Sequence, residues 1–138
     1  MFQHILTFAN PQDVCINEYD EANGWLRATW RGFVNNQDAT KGASKTLEVM
    51  EITHAPCLLN DNSQIVGPWF DSVEWLERVW VPQAAKLGLR YIAHVMPPDA
   101  NADITTVAIR HPDQIPFELQ IFRQVAEAEE WLHTCQER

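Results

Sequence analysis

Between Cys57 and Val95 two short apolar runs flank a long amphipathic stretch. The first run is Cys57-Leu58-Leu59, which passes into Asn60-Asp61-Asn62-Ser63 and then Gly67-Pro68. The second is Tyr91-Ile92-Ala93-His94-Val95, closed by Met96-Pro97-Pro98-Asp99. Between them Trp69, Val73, Leu76 and Trp80 step by four, three and four, and Trp75 and Val79 widen the apolar arc. That spacing predicts a helix with one buried face. Two strands joined by a helical crossover of this length form a parallel βαβ unit. The polar tetrad Asn60 to Ser63 is expected as a turn, because Asn, Asp and Ser bond their own backbone. The helix is expected to begin near Pro68, to kink or restart at Pro82 and to stop at Gly88.

The segments on either side extend this unit. Phe2 to Phe8 is read as a first strand or an N-terminal arm, and Val14 to Tyr19 alternates as a second strand. Asn23-Gly24 is a hairpin signal, because both residues accept positive φ. Trp25 to Trp30 is the returning strand, with Leu26, Ala28 and Trp30 on one face and Arg27, Thr29 and Arg31 on the other. One dry face and one wet face are expected. A helix follows from about Asp38, capped by Asn36 or Asp38, with Ala39, Ala43, Leu47 and Met50 as its buried stripe. Gly42 inside it implies close packing against the sheet, and His54-Ala55-Pro56 ends it. Ala102 to Ile109 is read as a short helix and Phe117 to Phe122 as a strand. The last helix carries the stripe Val125, Ala128, Leu132 and Cys135, with Glu127, Glu129 and Glu130 on its wet side. The expected order is β-β-β-α-β-α-β-(α)-β-α: one α/β domain over residues 1–138, whose mixed sheet opens with an antiparallel hairpin.

Composition narrows the partners. The formal net charge is -9. Phosphate binding needs clustered Lys and Arg, and here they are scattered, so nucleic acid is not an expected partner. No stretch reaches membrane-spanning length, so no stable membrane insertion is expected. The N-terminus lacks the basic region and apolar run of a signal peptide, and the expected location is cytoplasmic. Cys15, Cys57 and Cys135 are far apart and set in apolar patterns, which predicts buried free thiols in a reducing compartment.

Few residues carry a chemical motif. The five histidines show no metal-ligand spacing, and no nucleophile elbow, P-loop or dinucleotide fingerprint occurs. No metal, no cofactor and no catalytic residue is therefore assigned. Open α/β sheets bind ligands at the carboxyl ends of their parallel strands. Asn60, Asp61, Asn62 and Trp69 fall there, and they are the candidate residues for a small amphipathic ligand or a protein partner. The rival reading is a small hydrolase or isomerase using Asp61 and His94. A third is a structural dimerisation domain, with the chain forming a homodimer. Trp69, Trp75 and Trp80 spread around one helix, so at least one should reach the surface or a groove.

Several segments in this order resemble a known group. They are Tyr19-Asp20-Glu21 with Trp25, Ala28-Thr29-Trp30-Arg31-Gly32, Leu58 to Asn62, Trp75-Leu76 with Trp80-Val81-Pro82, Gly88 to Tyr91, and Ala128 to Leu132. Together they resemble the STAS domain, the SpoIIAA-like fold of anti-sigma-factor antagonists, and more closely the bacterial SpoIIAA-like, STAS/SEC14-type family. The resemblance implies a small non-enzymatic regulatory or binding domain. Antagonists carry a phosphorylatable Ser in an Asp-Ser-Ser/Thr-Gly motif, and the nearest match is Asp71-Ser72. Val73 and Glu74 depart from that motif, and a phosphate on Ser72 would lie between two carboxylates.

Overall fold

Of the Asn23-Gly24 pair Gly24 alone takes a positive φ, at the end of the four-residue turn Glu21 to Gly24. In the computed structural model, which describes residues 2–7, 14–66, 75–96 and 116–137, Gly24 sits at φ 79°. Its N–H donates to the Asp20 carbonyl at 2.7 Å. The Asp20 carboxylate accepts from the Asn23 backbone at 3.2 Å and from its amide at 2.7 Å. The turn joins β2 (Val14–Asp20) to β3 (Trp25–Phe33) in antiparallel register, with Cys15 opposite Trp30. β1 (Phe2–Thr7) pairs antiparallel with β2.

α1 spans Asn36–Thr53. Its cap is Asn35, not Asn36 or Asp38. Asn35 is the residue with extended backbone, and its side chain accepts from the Asp38 N–H at 2.8 Å. His54 ends the helix in the left-handed region at φ 54°, its N–H bonded to the Met50 carbonyl. Ala39, Ala43, Leu47 and Met50 are buried, as their spacing requires. Gly42 lies against the Trp30 ring so closely that a Cβ there would overlap its Cη2 and Cζ3 atoms.

β4 runs from Cys57 to Val66. The polar tetrad is therefore strand, not turn. Ala28 pairs with Asn60 and Thr29 with Asp61, and on the other side Asn60 pairs with His94. Ladder bonds on both sides outweigh the local preference of Asn and Asp. That preference survives as a register shift: Thr29 faces Asp61 and Arg31 faces Gln64, so Asn62 and Ser63 both oppose Trp30. This is a β-bulge. Asp61 shapes it, its Oδ1 accepting from the Ser63 N–H at 3.0 Å and from the Ser63 hydroxyl at 2.7 Å.

The crossover returns through Trp75, a π-helical turn at Leu76–Trp80 and α2 (Val81–Lys86). Pro82 sits in the first turn of α2. A proline has no N–H to give and its ring crowds the carbonyl four residues back, so the preceding turn widens; Trp80 keeps helical backbone, and α2 runs on from that turn without a fresh cap. Gly88 closes the helix at φ 102°. β5 (Tyr91–Val95) pairs parallel with β4, and β6 (Glu118–Phe122) pairs parallel with β5. α3 (Val125–Gln136) ends the fold. The expected helix at residues 102–109 lies outside the described residues.

The result is a mixed six-stranded sheet in the order β1-β2-β3-β4-β5-β6. Strands added one after another in one direction with right-handed crossovers place their helices on one face. α1 and α2 accordingly share a core with Leu26, Ala28, Leu58 and Ile92. The opposite face is left to α3, whose Ala128 and Leu132 pack on Trp25, Leu59, Ala93 and Val95. This corrects the expectation of one wet face. Trp25 is fully buried there, and Arg27 is half-buried in a 2.6 Å ion pair with Glu129, a residue assigned to the wet side. Among the described residues no helix is long and apolar enough to cross a membrane.

Candidate functional site

Asn60 is the centre of a polar network set into the α1 face of the sheet. Trp30 Nε1 donates to Asn60 Oδ1 at 3.0 Å. Asn60 Nδ2 lies 2.9 Å from His94 Nδ1 and donates to Asn62 Oδ1 at 3.3 Å. An indole N–H can only donate, so it fixes which end of the Asn60 amide is oxygen. The other end is then an NH2 group, and the neutral His94 ring must accept at Nδ1 and carry its proton on Nε2. Both functional ends of the Asn60 side chain are thus engaged inside the protein. Beneath this network, burial pushes the Cys15 thiol up to about 12, against a smaller downward pull from the Asn17 amide.

Asp61 and His94 do not form a pair. His94 is fully buried and shares its sheet face with Asn60. Strand alternation sends the side chain of Asp61, the next residue, to the opposite face. Its Oδ1 is taken up by Ser63 in the bulge. Asn62 is buried within the network. Trp69 and Ser72 lie outside the described residues.

A groove opens elsewhere, between α1 and the crossover helix, with a volume of about 620 Å³. Its apolar lining is Leu47, Trp75, Val79 and Leu87. Thr40, Ser44, Glu48 and Glu51 line it from α1, and Gln83 and Lys86 from α2. Trp80 clamps one helix to the other beside it, its buried indole donating to the Ala43 carbonyl at 2.9 Å. Leu47 is buried, while Trp75, Val79 and Leu87 remain partly open. The lining follows two stripes visible in the sequence: Thr40, Ser44, Leu47 and Glu51 on α1, and Trp75, Val79, Gln83 and Leu87 on the crossover. The widened arc of Trp75 and Val79 pointed to the second stripe. The first is polar but for Leu47 and resembles an ordinary solvated edge. Its role emerges only once the two helices lie side by side.

The chain matches no protein-family model, no curated protein and no solved structure.

Proposed function

We propose that this chain is a non-enzymatic binding module of STAS-like architecture, and that the groove between α1 and the crossover helix holds a small amphipathic ligand. The groove carries the reading. Its volume of about 620 Å³ falls in the range of small-molecule sites, roughly 300–1,000 Å³. It joins an apolar floor to a polar rim, the lining such a ligand needs. The sequential strand order, the opening hairpin and the two crossover helices on one face support the STAS-like reading. The buried His94, bonded to Asn60 and on the face opposite Asp61, supports a binding role over acid–base catalysis. A regulatory role follows naturally, since a ligand wedged between two helices changes how they pack.

Thermal unfolding with octyl-chain amphiphiles tests this, each below its micelle-forming concentration and with cationic, neutral or anionic heads. A ligand that binds only the folded chain raises Tm by mass action. At least one head group is expected to do so in the wild type and to fail with Val79→Asp. If none stabilises the wild type, or if Val79→Asp responds equally, the groove is not a binding site.

A further inference from the structure

Resting on that reading, we infer that the ligand carries a zwitterionic head, a cationic and an anionic group at one end of its apolar body, held where α1 and α2 finish. The placement follows from the fold. α1 and α2 lie in successive crossovers between parallel strands, so the two helices run in the same direction. The hydrogen bond from Trp80 to Ala43 sets their relative height. Glu51 stands about 12 Å beyond Ala43 along α1, and Lys86 about 9 Å beyond Trp80 along the facing wall, at the helical rise per residue. The two side chains therefore line the same end of the groove from opposite walls. Thr40 and Trp75 lie at the other end.

Charge complementarity selects the head. Glu51 and Lys86 are both exposed, and neither makes an ion pair among the described residues. Glu48, one turn earlier on α1, is already engaged by Lys45 at 3.0 Å. Two opposite charges that face one end of a groove without closing on each other complement a head that carries both signs. Glu51 takes its cation and Lys86 its anion. A head of a single sign meets one partner and one like charge there, and gains little. The apolar lining begins beside the pair. Leu87 follows Lys86, Leu47 lies one turn before Glu51, and Val79 and Trp75 carry the apolar surface to the far end. From Glu51 back to Thr40 the α1 wall measures about 16 Å, room for a medium-length alkyl chain behind a compact head.

Isothermal titration of the full chain with eight-carbon probes, each below its micelle-forming concentration, separates the outcomes. The probes are the zwitterion N-octyl-N,N-dimethylglycine, octyltrimethylammonium, octanoate and neutral octyl glucoside. The zwitterion differs from octyltrimethylammonium only by a carboxylate on one methyl group. It is expected to bind about fivefold or more tighter than either singly charged probe, with the advantage shrinking as salt rises. Glu51→Gln and Lys86→Gln should each weaken it about threefold. The single charges should respond in a crossed pattern that loss of packing would not produce. Glu51→Gln tightens octanoate and Lys86→Gln tightens octyltrimethylammonium, each about twofold, because each change removes one exposed repulsion. Both positions are exposed, so neither change threatens the fold. If a singly charged probe or the glucoside binds as tightly as the zwitterion, or if neither substitution weakens the zwitterion, the head assignment is overturned while the groove remains a site. If no probe binds, the groove reading itself falls, and the head assignment with it.

Discussion

Trp30 donates its indole N–H to Asn60 across the β3–β4 boundary at 3.0 Å, beside the bulge where Asn62 and Ser63 together oppose Trp30. This single bond orients the Asn60 amide and so determines the tautomer of His94. Long-range ¹⁵N correlation spectra should show the neutral His94 ring protonated at Nε2. In Asn60→Asp, a carboxylate replaces the donor, and the ring should move its proton to Nδ1. Asn60→Ala leaves the Trp30 donor and the His94 acceptor without this partner, and should cost roughly 2–4 kcal/mol in denaturant unfolding. An unchanged tautomer in Asn60→Asp would refute the assigned network.

Gly42 permits α1 to lie on Trp30. Alanine would ordinarily stabilise a helix interior by about 1 kcal/mol relative to glycine. Here its Cβ overlaps the Trp30 ring, and overpacking typically costs about 1–3 kcal/mol. Gly42→Ala should therefore lower Tm. The same substitution in a Trp30→Leu background should be neutral or stabilising, because the obstructing ring is gone. An increase in Tm for Gly42→Ala alone would mean that α1 sits farther from the sheet.

The second face of the sheet depends on α3. Leu132 is fully buried against it, in a cluster with Trp25, Leu59 and Val95. Leu132→Ala should cost about 2–5 kcal/mol in urea unfolding, the range for truncating a buried leucine. A near-neutral result would mean that α3 is undocked in solution.

Stability should respond to pH at both ends of the scale. Burial raises the Asp20 carboxyl, but hydrogen bonds from Asn23 and the Arg27 charge together hold it below its ordinary 3.8. A lowered folded value means that this stabilisation is present above pH 3.8 and is lost as pH falls through the folded value. Asp20→Asn should thus destabilise at pH 6 and matter less at pH 3, measured by urea midpoints. Burial pushes the Cys15 thiol to about 12, and burial with the neighbouring Cys135 pushes Cys57 to about 11, from an ordinary 9.0. Raised folded values mean stability present below pH 9.0 and lost as pH rises toward 11 and 12. Thiol labelling at pH 8 should accordingly keep pace with unfolding. Rapid labelling of the native chain would contradict the burial.

Much of this fold was legible because its signals are local. Gly24 with Asn23 announces the hairpin, Pro82 and Gly88 punctuate the crossover, and the stripes of α1 and α3 give their buried faces. Asn60 to Ser63 misled because turn preference is a local property, whereas strand pairing comes from β3 and β5, distant in sequence. Trp25 misled for a similar reason. Its face reads as wet through Arg27, Thr29 and Arg31, and only the return of α3 across the sheet buries it. The groove was half legible. Trp75 and Val79 stood out as surplus apolar surface, but their counterpart on α1 is defined by helix packing.

The most direct test of the account is a ¹⁵N-resolved NMR titration of the chain with the octyl-chain amphiphile that raises Tm most, below its micelle-forming concentration. Binding in the groove should shift the Trp75 indole signal and the amides of Leu47, Glu51, Val79 and Leu87, while Asn60, Asn62 and His94 stay in place. Shifts centred on Asn60, Asp61 and Asn62 with a silent groove would contradict the account and return the site to the β4 strand.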